Sequence, residues 1–150
     1  RRLVGVDLSA AMLERAQARG LYDVLACAEL TEFLRAAPAR AAYDVIVAAD
    51  VLVYLGDLQP LFAAAGSALR PGGLFAFSVE RAEGSVAGTG YLLQPSGRYA
   101  HAPAYIDSLP GFELLAAHSA TLRQERGVPV DGMLYVLRAS GFLTGAHDAS

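Results

Sequence analysis

Residues 3–20 read LVGVDLSAAMLERAQARG, an apolar run that passes directly into a helical pattern. The apolar run ends at Asp7, and Ser9 follows as the expected N-cap of a helix over Ala10–Arg19. Gly20 then supplies the left-handed conformation in which many helices end. A strand, a carboxylate and a capped helix in this order predict a βα unit.

The same alternation of strand and helix continues along the chain. Near-continuous apolar runs, typical of parallel strands covered on both faces, occupy Val24–Cys27, Val45–Ala49 and Leu74–Val79. We therefore expect an α/β fold with a Rossmann-like, doubly wound and mostly parallel sheet. The other expected helices are Glu32–Ala37, between Thr31 as N-cap and Pro38, and residues 58–69, between Asp57 as N-cap and a turn at Arg70–Gly73.

The composition changes after Glu80, where Gly, Pro and Ser become frequent. We expect a long connection over residues 81–103 and then antiparallel C-terminal strands. One domain covers residues 1–138 in this interpretation, and residues 139–150 form a flexible tail. The expected elements are a hairpin of Gly90–Leu93 with Gly97–Ala100, a short helix at Ala104–Leu109, and strands at Glu113–Ala117, continuing to Arg123, and Met133–Leu137, joined by a loop at Arg126–Pro129.

Composition and charge exclude several classes of protein. The chain has 150 residues, of which 54% are hydrophobic, and its formal net charge is −3, so a single folded domain without a nucleic-acid partner is expected. All 12 basic residues are Arg, which excludes a P-loop and a lysine Schiff base. The one cysteine, Cys27, excludes an internal disulfide, and we expect its thiol to be buried and unreactive.

Metal and membrane sites are also not expected. His118 and His147 have no ligand spacing with other residues, so we assign no metal. No apolar stretch is long enough to span a membrane, and residues 1–7 do not form a signal peptide. A cytoplasmic protein without a membrane partner is therefore expected.

Carboxylates follow the predicted parallel strands. Because ligands of open α/β sheets bind beyond the carboxyl ends of the strands, these ends are the candidate site. Asp7 is the most informative, since a carboxylate between a strand and a helix can accept both hydrogen bonds of a ribose diol. A helix cap is the alternative role. The four strand ends are Asp7-Leu8-Ser9, Ala28-Glu29-Leu30, Ala49-Asp50-Val51 and Glu80-Arg81.

Three segments resemble motifs of class I S-adenosylmethionine-dependent methyltransferases. Residues 4–13, VGVDLSAAML, resemble the second-strand motif of that family, and residues 43–52, YDVIVAADVL, resemble its fourth-strand motif. Residues 69–75, LRPGGLF, resemble its turn into the fifth strand. Residues 90–91 and 97–101 are similar to predicted methyltransferases that are often fused to tetratricopeptide repeats.

This resemblance implies a cofactor, S-adenosylmethionine, and a role for each matching residue. Asp7 would bind the ribose hydroxyls, and Glu29 would approach the adenine amino group. Asp50 and Val51 would lie near the methionine portion. Leu8 and Met12 would contact the adenine, and Ala28 and Leu30 would line the same slot. Core packing is the alternative role for Leu8, Met12 and Leu30.

The acceptor side is predicted less specifically, and a small molecule is expected because the chain has no basic patch. His101 is the first candidate for a catalytic base, since an ordinary histidine pKa suits proton removal near neutrality. Asp50 and Glu80 are further candidates, and Arg98 could bind an acceptor carboxylate or phosphate. The residues expected to face the acceptor are Tyr54, Glu80, Tyr91, Arg98 and Tyr99.

The resemblance lacks one part. The family's first strand and glycine-rich loop would precede residue 3 and would lie between the strands at Leu3–Val6 and Val45–Ala49. We therefore expect the C-terminal portion of a longer methyltransferase. Two alternatives stay open: an NAD(P)-dependent oxidoreductase, because Asp7 fits the ribose of either cofactor, and a non-catalytic Rossmann-like module that associates with another chain through an exposed sheet edge.

Overall fold

The computed structural model describes residues 1–37, 43–83, 86 and 88–141. Strands alternate with helices in the first half of the chain, and strands dominate the second half. The elements in order are β1 (Val4–Asp7), α1 (Ala10–Ala18), β2 (Val24–Cys27), α2 (Leu30–Ala36), β3 (Tyr43–Ala48), a 3₁₀ turn (Leu52–Tyr54), α3 (Gln59–Ala68), β4 (Leu69–Arg81), β5 (Tyr91–Leu93), β6 (Tyr99–His101), α4 (Pro103–Ser108), β7 (Phe112–Glu125) and β8 (Val128–Ala139).

The strands form two separate sheets. β1 and β2 pair in parallel, with Asp7 opposite Cys27, and make a two-stranded sheet. The other six strands form the second sheet, in the order β5-β6-β4-β8-β7, with β3 pairing with β4. Among the described residues, β1 and β3 do not pair with each other, so each has one unpaired edge.

β4 is the central strand of the larger sheet. β3 pairs with it in parallel along residues 69–77, and β8 pairs antiparallel with it on the other side. Beyond the end of β3, β6 pairs in parallel with Glu80 and Arg81. The carboxyl ends of β3 and β4 therefore lie beside the β5–β6 hairpin and the N-terminal part of β8.

An aromatic core fixes this sheet against α3. Phe62 of α3 lies 5.4 Å from the ring centroids of Phe75, Phe77 and Phe112, each in an edge-to-face arrangement. Phe62 and Phe75 are fully buried. Such pairs add to the free energy gained by burying their large apolar area, so this core holds β4 and β7 in place.

The predicted fold class is confirmed, as are the parallel βα units and the β5–β6 hairpin. Gly20 ends α1 with a φ of 63°, as predicted. The predicted N-cap of α3 is wrong by one residue, since Leu58 occupies that position and Asp57 lies before it. The Asp57 Oδ1 still accepts the Gln59 N–H at 3.0 Å.

Several boundaries differ from the prediction. The N-cap of α2 is Glu29 rather than Thr31, because Glu29 accepts two backbone N–H groups of the first turn. Residues 69–73, predicted as a helix end and turn, belong to β4, where Gly72 at φ 76° accompanies a shift of register against β3.

The C-terminal strands are longer than predicted. The loop between them contains two residues only, Arg126 and Gly127, and Val128 and Pro129 already belong to β8. Arg126 and Gly127 have φ of 50° and 77°, as a tight hairpin turn requires. β8 includes Ala139, so that residue is not part of a tail, and the predicted Pro38 stop and residues 142–150 lie outside the described residues.

Two further observations concern the surface. Cys27 is exposed, which contradicts the predicted burial, because it ends β2 at the open edge of the small sheet. Within the described residues, no helix has the length and apolar character needed to cross a membrane.

Candidate active site

The ends of β1 and β2 bring Asp7 next to Ala28. The Ala28 N–H donates to the carbonyl oxygen of Asp7 at 3.1 Å, which continues the strand pairing past Cys27. The Asp7 carboxylate accepts the Ser9 N–H through Oδ1 at 2.7 Å, and Ser9 in turn caps α1. Oδ2 has no hydrogen bond among the described residues. Asp7 therefore combines a local turn contact with a remaining acceptor oxygen.

Two large apolar side chains follow this carboxylate. Leu8 is 71% exposed and Met12 is 50% exposed. Core packing, the alternative role for both residues, is therefore wrong. Leu30 differs, since it is half-buried against the main core, and Ala28 is also half-buried. The end of β1 thus offers an acceptor oxygen beside an apolar surface, which suits a nucleoside.

The carboxylate of Glu29 is engaged in capping α2. Oε1 accepts the Thr31 N–H at 2.9 Å and Oε2 accepts the Glu32 N–H at 2.8 Å. Burial raises the pKa of Glu29, but these hydrogen bonds and the Arg35 charge outweigh it, so the pKa lies below its usual value. Glu29 is therefore ionised at neutral pH, and its carboxylate serves as the N-cap of α2.

Asp50 lies at the end of β3 in an unusual backbone conformation. Its φ is 55°, a left-handed value that Asp adopts more readily than most residues. Its N–H donates to Ser78 Oγ at 2.8 Å, and its Oδ1 accepts from Arg123 Nη1 at 2.7 Å. The side chain stays 49% exposed, so it faces the open end of the sheet. Val51, which follows, is half-buried against the core.

Glu80 is buried, which argues against its predicted use as an exposed base or acceptor contact. Its side chain is 6% exposed, Oε1 pairs with Arg123, and Oε2 accepts from Gln94 Nε2. Gln94 and Arg98 belong to the connection between β5 and β6, and Arg98 pairs with Glu125. A charge cluster of Asp50, Glu80, Gln94, Arg98, Arg123 and Glu125 therefore joins the ends of β3, β4 and β7.

His101 is also buried, with 1% of its surface exposed. Its Nε2 lies 3.0 Å from the carbonyl oxygen of Gly56, while Nδ1 is buried without a partner among the described residues. Burial lowers the pKa of His101 most strongly, against smaller opposing effects of the Gly56 and Leu55 backbone and the Glu80 charge. The ring is neutral at pH 7, with its proton on Nε2, and neither nitrogen faces solvent.

Tyrosines surround this histidine. Tyr105 stacks on its ring at a centroid distance of 6.1 Å, and Tyr91 lies 6.2 Å away. Tyr91 and Tyr99 both pack closely on Gly56, where a Cβ would lie under 3.0 Å from each ring. Tyr54 is 63% exposed nearby in the chain. Of the predicted acceptor-side residues, the structure brings Tyr91, Tyr99 and His101 together and leaves Tyr54 on the surface.

Sequence reasoning missed three members of the charge cluster and one residue that contacts it. The three members are Gln94, Arg123 and Glu125, and the fourth residue is Ser78, which accepts the Asp50 N–H. Arg123 and Glu125 both lie on β7, where the predicted strand reached Arg123 and stopped short of Glu125. No local pattern marks them, because their role depends on the pairing of β7 with β8. In the described residues, the His, Cys, Asp and Glu side chains form no group of three that could hold a metal ion.

The strand ends thus define an α/β protein with an exposed apolar surface beside the Asp7 carboxylate on one side and a polar, aromatic region on the other. The family described as "methyltransferase domain" matches residues 1–75, half of the chain. The chain belongs to the methyltransferase domain family, as predicted. No curated protein matches its sequence.

Solved structures support the same fold. A SAM-dependent methyltransferase from Methanosarcina mazei is similar at 14% identity and a TM-score of 0.68, over 91% of this chain and 81% of that chain. The N-methyltransferase NodS of Bradyrhizobium japonicum, in complex with S-adenosyl-L-homocysteine, is similar at 22% identity and a TM-score of 0.67, over 93% and 67%.

A third similar structure contains two bound small molecules. The 1,6-didemethyltoxoflavin-N1-methyltransferase of Burkholderia thailandensis, with 1,6-didemethyltoxoflavin and S-adenosylhomocysteine bound, is similar at 17% identity and a TM-score of 0.68. The alignment covers 94% of this chain and 62% of that chain. The predicted cofactor agrees with the molecules named in these structures.

Proposed function

We propose that this chain transfers a methyl group from S-adenosylmethionine to a small-molecule acceptor. The observation that carries the proposal is the Asp7 carboxylate, which keeps Oδ2 free of hydrogen bonds among the described residues beside the exposed side chains of Leu8 and Met12. Membership in the methyltransferase domain family and the cofactor-bound relatives support it.

The residues of the small sheet fit the nucleoside part of this cofactor. Asp7 accepts the ribose hydroxyls, and Leu8 and Met12 cover one face of the adenine. Ala28 and Leu30 line the same slot. Glu29 keeps its helix cap and uses a remaining lone pair of a carboxylate oxygen toward the adenine amino group.

The residues of the larger sheet position the reacting groups. When bound, S-adenosylmethionine supplies a methyl group activated by its sulfonium. Asp50 and Val51 contact the methionine portion. The half-exposed Asp50 carboxylate is open to the acceptor nucleophile, whereas both nitrogens of His101 are hidden, so Asp50 is the proposed general base. Orientation of the acceptor beside the donor accounts for much of the rate.

The acceptor enters, in this proposal, beside the tyrosines of the β5–β6 hairpin. Tyr54, Tyr91 and Tyr99 provide aromatic surface, and Arg98 orients a polar group. The negative net charge of the chain favours a small molecule over nucleic acid. The cytoplasm is the proposed location of the reaction.

The two unpaired strand edges support a further proposal about the domain. The edges of β1 and β3 face no partner among the described residues, and Val45 and Val47 of β3 are 51% and 70% exposed. We infer that a further parallel strand completes the sheet between β1 and β3. Residues 1–138 are then the C-terminal part of the domain, and self-association through these edges is the competing arrangement.

The test replaces Asp7 by Asn and measures cofactor binding by titration calorimetry. We expect Asp7→Asn to weaken binding of S-adenosylhomocysteine about tenfold or more, as loss of a charge-assisted hydrogen bond does. Asp23→Asn is the control, since Asp23 lies at the opposite end of the same sheet and accepts the Leu3 N–H.

Three outcomes would contradict the proposal. Equal affinity of the wild-type protein and Asp7→Asn for S-adenosylhomocysteine removes the role of Asp7. Binding of NAD in place of S-adenosylhomocysteine supports the oxidoreductase. Concentration-dependent assembly without binding of either cofactor supports the non-catalytic module.

A further inference from the structure

The guanidinium of Arg123 contacts three carboxylates from three parts of the sheet. Nη1 lies 2.7 Å from Asp50 Oδ1, Nε lies 3.0 Å from Glu125 Oε1, and Nη2 pairs with Glu80 Oε1. Only 17% of the Arg123 side chain is exposed. A planar guanidinium that is mostly shielded from solvent and bonded at three nitrogens has little freedom to move, so it also restricts the groups that it contacts.

A β-bulge brings Arg123 to this position. The register between β7 and β8 shifts between Thr121 and Arg123, so that Leu122 is the extra residue. Arg123 therefore points to the face opposite to that of Thr121, which bonds Asp131. Without the bulge, the two side chains would share a face, and Arg123 would point away from Glu80.

Gly132 of β8 makes room for the bulge. A Cβ on Gly132 would collide with the Leu122 side chain and with the carbonyl oxygen of Val79. Gly132 pairs with Glu80 on β4, the residue that Arg123 contacts. The bulge, the glycine and the ion pairs are thus parts of one arrangement.

Asp50 is held from two sides by this arrangement. Ser78 Oγ accepts its N–H at 2.8 Å, and Arg123 bonds its carboxylate. A non-glycine residue at a φ of 55° needs such support, since the left-handed conformation is less stable than the usual ones. Asp50 still exposes about half of its side chain, at 49%.

We propose that Arg123 is a positioning residue, which, together with Ser78, fixes Asp50 in its left-handed conformation and presents the open side of its carboxylate to the methyl donor and acceptor. This inference rests on the proposed function for the role of Asp50. Through Glu80 and Gln94, the same guanidinium links Asp50 to the β5–β6 hairpin, so the donor side and the acceptor side share one anchor.

A merely structural role for Arg123 would be to neutralise the buried Glu80. The two roles separate in a double variant, because Glu80→Gln removes the buried charge that would otherwise be left unpaired. Arg123→Met with Glu80→Gln therefore restores stability but leaves Asp50 without its anchor.

The experiment measures amide hydrogen exchange at Asp50 by NMR in the whole chain. We expect Arg123→Met to speed exchange of the Asp50 N–H about tenfold or more. The segment between β3 and the 3₁₀ turn opens locally when the Asp50 carboxylate loses its bond to Arg123. The double variant is expected to regain the melting temperature of the wild-type protein and to keep the fast exchange. Arg138→Met is the matched control, because Arg138 lies on β8 and pairs with the exposed Glu113.

The outcomes separate this inference from the proposed function. Wild-type exchange at Asp50 in the double variant overturns the positioning role, and so does equally fast exchange in Arg138→Met. Titration with S-adenosylhomocysteine tests the second part: we expect the double variant to bind it about tenfold more weakly than the wild-type protein. A wild-type protein that does not bind S-adenosylhomocysteine contradicts the proposed function, while the exchange rates still decide the role of Arg123.

Discussion

At the scale of single residues, Glu29 shows how a carboxylate at a strand end contributes to the fold. Its two oxygens accept the N–H groups of Thr31 and Glu32, which have no partner within the helix. The negative charge also interacts favourably with the N-terminal end of the α2 dipole. The ionised form of Glu29 is therefore the one that stabilises the native state.

We predict that Glu29→Gln lowers the free energy of unfolding at pH 7 by about 0.5–2 kcal/mol, the usual cost of a lost cap. Because the folded pKa lies below the unfolded one, this contribution is complete above the unfolded pKa and is lost as the pH falls through the folded pKa. Urea unfolding of both proteins across this range measures the difference. Glu32→Gln is the control, since Glu32 forms an exposed pair with Arg35, and a difference that persists in acid would contradict the prediction.

The sequence identifies the carboxylates at the strand ends, but it does not show which of them is accessible and which is buried. Asp7 and Glu80 follow strands in the same way, yet one keeps an acceptor oxygen and the other is buried. The difference comes from Arg123, which is 43 residues from Glu80 in the chain. A contact of this kind depends on strand register, and no local pattern encodes it.

At the scale of elements, the β7–β8 hairpin supplies the side chains that sequence reasoning missed. Its strands were predicted at the right places but too short, because their exposed residues do not form an apolar run. β7 is exposed along much of its length, as expected of an edge strand. The turn at Arg126-Gly127 and the bulge at Leu122 then set which residues point toward Glu80.

We predict that Gly132→Ala destabilises the protein by about 1–3 kcal/mol, the range for an added methyl group in a packed site. The new Cβ would displace Leu122 or the β4 backbone and would move Arg123 with the bulge. Thermal unfolding measures the effect. Gly66→Ala in α3 is the matched control, because its Cβ meets only the Phe112 ring at 3.7 Å and helix propensity favours Ala. Equal stability of both variants would contradict the prediction.

At the scale of the whole molecule, the sheet is divided between β1 and β3. The small sheet carries the residues proposed to bind the nucleoside, and the larger sheet carries those proposed to act on the methyl group. The sequence predicted the parallel strands of both halves, and the resemblance to methyltransferases implied a missing strand between β1 and β3. The order in which the C-terminal strands pair was not predicted. The exposed Val45 and Val47 indicate where apolar surface stays accessible to water.

We predict that adding a strand and its glycine-rich loop from a similar methyltransferase, fused before Arg1, raises the free energy of unfolding. Burial of about four aliphatic side chains at ~1.5–3 kcal/mol each gives an expected gain of roughly 6–12 kcal/mol before the entropy of the added residues is subtracted. Urea unfolding measures the gain, and a polar linker of equal length is the control. A fused strand that adds no stability, or no affinity for S-adenosylhomocysteine, would contradict the inferred place of the strand.

The β7–β8 hairpin has one end in the aromatic core and the other at the charge cluster around Arg123. At the core end, Phe112 and Leu137 pack near α3, whereas the tip at Arg126 and Gly127 is exposed to solvent. Substitutions at the tip therefore lie away from the packing that keeps the protein folded. The exposed tip accepts sequence changes more readily than the core end of the same hairpin, so the two ends of one element differ in the freedom of their sequence.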